Sequence, residues 1–80
     1  MENRLMTHMT TERVRKAFGI NVRKRRVKAK LSQTELAKRI GVKQSYVSCI
    51  ESASEGATVD TITRLALALH TQPSRLLKLV

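Results

Sequence analysis

An all-α fold of five short helices is predicted for this 80-residue chain, and three observations predict it. Apolar residues recur at three- and four-residue spacings, and no segment alternates in the manner of a strand. Helix punctuation falls between those runs, in Ser32 followed by Glu35, Gly41, Thr58 and Pro73. Hydrophobic residues make up 41% of the chain, enough for one small core in a length that suits a single domain.

Residues 1–9 show no periodicity and are read as a tail, with the domain spanning 10–80; Leu5, Met6 and Met9 offer the tail's apolar contacts. Thr10 or Thr11 suits the N-cap of a first helix from about 12 to 29, with Glu12 in its positive first turn. Val14, Phe18, Val22 and Val27 are its expected inward stripe, and basic residues fill the rest. Gly19 inside that helix is unfavourable by about 1 kcal/mol relative to alanine, which makes sense where another element packs closely against it.

Ser32 and Glu35 form the S-x-x-E capping-box pattern, and Leu31 with Leu36 fits a hydrophobic staple. The second helix is therefore placed at 33–40, burying Leu36, Ala37 and Ile40 and stopping at Gly41. A third helix at 44–52 buries Val47 and Ile50 with Val42 beneath them, and turns Gln44, Ser45 and Ser48 outward with Cys49 flanking. Residues 52–57 form a loop. Thr58 caps a fourth helix at 59–69 with Ile62, Leu65, Ala66 and Leu69 inward. Pro73 suits the first position of a fifth helix at 73–79.

Charge narrows the function. The net charge is +10, and twelve Lys and Arg against one acid, Glu35, lie between Arg13 and Lys43. Such a segment, still able to fold, points to a polyanionic partner. Phe18 and Tyr46 are the only aromatics, too few for a base-stacking platform, so duplex DNA is favoured over single strands or RNA loops. No apolar run approaches the roughly 20 residues of a bilayer span, and no signal peptide is visible, so a cytoplasmic protein with no membrane partner is expected. Cys49 is the lone cysteine, and neither His8 nor His70 has a partner at metal-ligand spacing, so no metal, cofactor or internal disulfide is expected. An enzyme is not expected either, since there is no nucleophile elbow, paired-carboxylate site or phosphate-cradling loop.

Two short helices joined by a tight glycine turn, the second with a polar outer face, form the helix-turn-helix pattern. A helix 10–12 Å across fits the roughly 12 Å major groove of B-DNA, where short polar side chains reach base edges. The series Phe18-Gly19, Val22-Arg23, Arg26, Leu31-Ser32-Gln33, Leu36-Ala37, Gly41-Val42, Tyr46-Val47-Ser48, Ile50-Glu51 resembles the lambda-repressor-like, Cro/CI (XRE) family. Thr58-Val59, Thr61-Ile62, Leu65-Ala66 and Ala68-Leu69 are similar to its fourth helix.

That resemblance implies roles for individual residues. Gln44, Ser45, Ser48 and Cys49 fall at base-reading positions; Gln33, Lys43, Tyr46 and Ser52 fall at backbone-contacting ones, and Gln33 also braces the recognition helix. From the basic first helix and the cap of the second, Arg23 and Ser32 join the backbone-contacting set. Arg26 and Glu51 match a structural ion pair, and the apolar end of the chain, Leu76, Leu77, Leu79 and Val80, is the expected dimer interface. Three positions depart from the family pattern: Lys43 replaces a Ser or Thr cap, and Ala53 and His70 each replace a common glycine. The expectation is a sequence-specific transcriptional regulator, a homodimer on a palindromic operator, such as a phage-type repressor or a restriction–modification controller. The alternative is an antitoxin whose main partner is a second protein, with DNA autoregulation secondary.

Overall fold

The computed structural model describes residues 9–80, and most of the expected tail lies outside them. Among the described residues five helices follow in order: α1 (Thr11–Lys28), α2 (Gln33–Ile40), α3 (Gln44–Glu51), α4 (Val59–Ala68) and α5 (Pro73–Leu76). The first four match the predicted elements to within a residue at each end, the usual scatter of helix boundaries.

Local chemistry explains the starts. Thr10, Ser32 and Thr58 each accept a hydrogen bond from the backbone N–H three residues on, at 3.1, 3.0 and 3.1 Å. At α2 the box is complete, because the Ser32 N–H donates to Glu35 Oε1 at 3.0 Å. The Ser32 backbone N–H, then its side chain, hold the Glu35 carboxyl below the usual glutamate range. A carboxylate with a lowered folded-state pKa contributes stability above its unfolded pKa and loses it as pH falls through the folded value. Glu35→Gln should therefore cost stability near neutral pH and progressively less as the solution is acidified below the ordinary glutamate pKa; urea melts at several pH values check this.

Leu31 and Leu36 are both buried and join one core with Phe18, Val22, Ile40, Val47, Ile50, Leu65, Leu69 and Leu76. Gly41, at φ 75°, ends α2 with its own N–H and that of Val42 turned back on the helix, so the chain reverses into α3 within three residues. Gly19 is where α1 crosses α3: an added Cβ there would stand 2.4 Å from the carbonyl oxygen of Ile50 and 2.8 Å from that of Glu51.

Two expectations of the first helix and the last are corrected. Val27 is 56% exposed, because five residues from Val22 is roughly 140° round a helix. The inward position one turn after Val22 belongs to Arg26 instead. The fifth helix stops at Leu76 rather than running to residue 79. There Asn21 Nδ2 donates to the carbonyls of Leu76 and Lys78 at 2.9 and 2.8 Å, so the side-chain amide takes acceptors that a continuing helix would use. Leu76 itself is fully buried in this core, which removes it from the expected dimer surface.

Ala53 and His70 stand at φ 64° and 54°, in the left-handed region that costs an L-residue about 1–2 kcal/mol. Ala53→Gly is expected to raise stability by about 0.5–1 kcal/mol after allowing for the extra freedom of glycine in the unfolded chain, read from the urea midpoint.

Candidate nucleic-acid interface

The outer side of the helix-turn-helix is built around one chain of polar side chains. Arg26 on α1 meets Glu51 at the end of α3 in a fork, Nε to Oε2 at 2.6 Å and Nη2 to Oε1 at 2.9 Å, and its Nη1 reaches the Leu31 carbonyl at 2.9 Å. Both side chains are mostly enclosed, at 13% and 4% exposure. The bond to Glu51 raises the guanidinium pKa further, so Arg26 is permanently charged. The same carboxylate oxygen, Oε1, accepts from Gln33 Nε2 at 3.1 Å, and Gln33 Oε1 accepts from Gln44 Nε2 at 2.7 Å.

This chain has a direction. An ionised carboxylate only accepts hydrogen bonds, so Gln33 must turn its NH2 towards Glu51 and its oxygen towards Gln44. Gln44 must then spend one N–H on Gln33, leaving Oε1 and a second N–H available outside. The first residue of α3 is thereby held from the first turn of α2 and polarised from the far end of its own helix.

The remaining predicted positions are less uniform. Ser45 is exposed beside Gln44, whereas Ser48 and Cys49 are half-buried on the next turn. Lys43 is the N-cap of α3 and makes no side-chain cap bond, so the positive end of that helix is open to an anion. Ser32 Oγ accepts the cap bond of α2 with one lone pair and keeps its hydroxyl proton for donation. Ser52 Oγ donates to the Cys49 carbonyl at 3.2 Å and lies 3.2 Å from Ser54 Oγ, so its hydroxyl is already engaged in closing α3. Tyr46 packs against the core and its hydroxyl faces the Gly56 carbonyl at 3.4 Å.

Arg23 is exposed on α1 and borders a groove with Ile20, Val27 and Glu51, on the flank nearest the end of α3. Arg25 lies round the helix from it, towards α5, and Lys24 and Lys28 border both the groove and the α5 side. The basic run of α1 is thus divided between two sides. Sequence reading missed Asn21, whose only signal was a lone uncharged polar residue amid the basic and apolar ones of the first helix. That Glu51 serves Arg26 and Gln33 at once has no local signal in the sequence either.

A family model described as helix-turn-helix matches residues 22–76, from the middle of α1 to the end of α5. The chain belongs to the Cro/CI-type helix-turn-helix family. Among curated proteins it is 35% identical over 68 residues to the control protein C.BamHI of Bacillus amyloliquefaciens, covering 84% of each chain. Among solved structures it is similar to the restriction–modification controller C.AhdI of Aeromonas hydrophila, with 34% identity, a TM-score of 0.74, and coverage of 78% of this chain and 94% of that one. The P22 c2 repressor, solved in complex with a synthetic operator, gives 33% identity and a TM-score of 0.74 over 76% of this chain and 92% of its own.

Proposed function

We propose that this family member is a sequence-specific regulator of transcription of the restriction–modification controller kind, binding double-stranded DNA as a homodimer in the cytoplasm without a cofactor. Two controllers among its relatives support the kind, and a repressor solved on its operator supports the DNA. The observation that carries the reading is Gln44, exposed at the start of α3 and held in one orientation by Gln33.

With α3 in a major groove, Gln44 presents one acceptor and one donor, the pattern that pairs with N6 and N7 of adenine. Ser45, Ser48 and Cys49 line the rest of the reading face. Arg23, Ser32, Gln33 and Lys43 supply phosphate contacts, which position the helix without reading sequence. Tyr46 and Ser52 would have to release the Gly56 and Cys49 carbonyls to donate to phosphate, so they are secondary contacts. The second copy docks on the apolar end of the chain, where Leu77 and Val80 are exposed and Leu79 half-buried, with Leu76 excluded.

Selection of bound duplexes from a random library at near-physiological salt tests the reading. It should return a two-fold symmetric motif with half-sites about one helical turn, roughly 34–36 Å, apart; enrichment of no motif would overturn it. In the same assay Gln44→Ala should relax one position in each half-site by about 1–3 kcal/mol. Uniform weakening on every duplex would instead assign Gln44 to the phosphate backbone.

A further inference from the structure

We infer that a second positive surface, the cleft between α1 and α5, takes an acidic segment of a protein partner while α3 holds DNA. The cleft has a volume of about 510 Å³ and is lined by Asn21, Lys24, Arg25, Lys28, Arg75 and Lys78. Five of those six side chains are cationic and none is acidic.

The fold assembles this charge from the two ends of the domain. Asn21 spends its side-chain amide on the Leu76 and Lys78 carbonyls, across 55 and 57 residues of sequence. That clamp sets Arg75 and Lys78 opposite Lys24 and Lys28, and it covers two carbonyl oxygens that would otherwise offset the positive potential. Two acids elsewhere are committed. Glu51 is engaged by Arg26 and Gln33, and Glu35 by the cap of α2. Grouping like charges without counter-charges costs the free protein stability, and an anionic partner relieves that cost.

Direction decides what kind of anion. Gly19 and Arg26 mark the side of α1 that faces α3. Asn21 and Lys28, five residues before Arg26 and two after it, stand about 140° and 160° round the helix from it. The cleft therefore opens away from the reading helix at Arg25, Arg75 and Lys78, with Lys24 and Lys28 on the ridge it shares with the groove that reaches Glu51. Duplex DNA, stiff over about 150 base pairs, does not bend from α3 round to the far side of one small domain. A carboxylate-rich protein segment reaches it freely, and the long exposed lysines suit an extended acidic run better than a compact small anion. This inference rests on the DNA reading only in the claim that both surfaces are used together.

The test uses the full chain and an oligoglutamate peptide carrying a fluorescent label, titrated at near-physiological salt. The double variant Arg25→Glu/Arg75→Glu, at two cleft residues away from both the apolar end and the groove at Glu51, is compared with Lys38→Glu/Arg39→Glu, the same charge change on α2, after melting curves confirm that both fold. The cleft variant should weaken peptide binding by about tenfold or more and the α2 variant far less. Equal weakening by both would overturn the cleft in favour of diffuse charge. A parallel titration with the selected duplex separates the two readings. Peptide binding that survives saturation with duplex supports joint use. Displacement of the peptide by duplex, together with loss of duplex affinity in the cleft variant, would overturn the inference and assign the cleft to phosphate. Should selection return no motif, the peptide comparison still stands or fails by itself.

Discussion

Replacing Gly19 by alanine is expected to destabilise the domain by about 3 kcal/mol, although alanine is the better helix former by about 1 kcal/mol. The new methyl would stand 2.4 Å from the Ile50 carbonyl oxygen and 2.8 Å from that of Glu51. Both neighbours are backbone, so no rotamer change relieves the overlap, and α1 and α3 must separate. Separation loosens the packing of Phe18 and Val22 against Val47 and Ile50, all of them buried. It also lengthens the Arg26–Glu51 contact, now 2.6 Å, two turns further along α1. Against a total stability of about 4–12 kcal/mol for a domain of this size, that is a large share, and Gly19→Val should abolish cooperative unfolding. Urea titration with an unchanged m-value checks the alanine variant. A gain of about 1 kcal/mol would mean that the two helices do not cross closely at Gly19. DNA affinity should fall with stability, because α3 is seated through this crossing.

Much of this was legible in the sequence wherever the signal was local. The Ser32–Glu35 box, the Leu31–Leu36 staple and the Gly41 turn are properties of neighbouring residues, and each occurs where the pattern placed it. Gly19 was readable as an anomaly with a stated reason, a close packing partner, but not with the identity of that partner. Val27 failed because a five-residue step was accepted as helical spacing. The position it was given belongs to Arg26, a charged residue that enters the inward face only because Glu51 arrives there from another helix. Leu76 and the short α5 depended on Asn21, more than 50 residues away, and no local pattern encodes such a contact. In the interface the residue types were readable, whereas the order in which Glu51, Gln33 and Gln44 hold one another was not.

That order leads to the sharpest expectation. Glu51→Gln should cost about 2–4 kcal/mol, because it leaves the mostly enclosed Arg26 cation with a neutral partner, and loss of one member of a buried pair is expensive. Arg26 keeps its bond to the Leu31 carbonyl, and the new glutamine retains one acceptor, so the cost stays below that of Glu51→Ala. The consequence for reading is separate from the cost. In the native chain Glu51 offers acceptors only, which forces Gln33 to donate to it and Gln44 to donate to Gln33. Glutamine at position 51 has two orientations: its oxygen at the Oε1 place still accepts from Arg26 Nη2 and Gln33 and sets its NH2 against Arg26 Nε, whereas its oxygen at the Oε2 place turns the NH2 to Gln33 and Arg26 Nη2. In the second orientation Gln33 reverses, its NH2 facing Gln44, and Gln44 reverses in turn to accept with Oε1. Its outward side changes from one donor and one acceptor to two donors, the complement of N7 and O6 of guanine rather than of N6 and N7 of adenine. Duplex selection with Glu51→Gln should thus weaken the adenine preference at the position read by Gln44, because two polarities of Gln33 and Gln44 replace the single one that the carboxylate imposes. The comparison with Gln44→Ala separates the steps: if alanine relaxes that position while Glu51→Gln leaves the adenine preference intact, Gln44 reads the base but is not polarised from Glu51. If both variants act at the same position in these different ways, the ion pair between α1 and α3 sets specificity as well as stability.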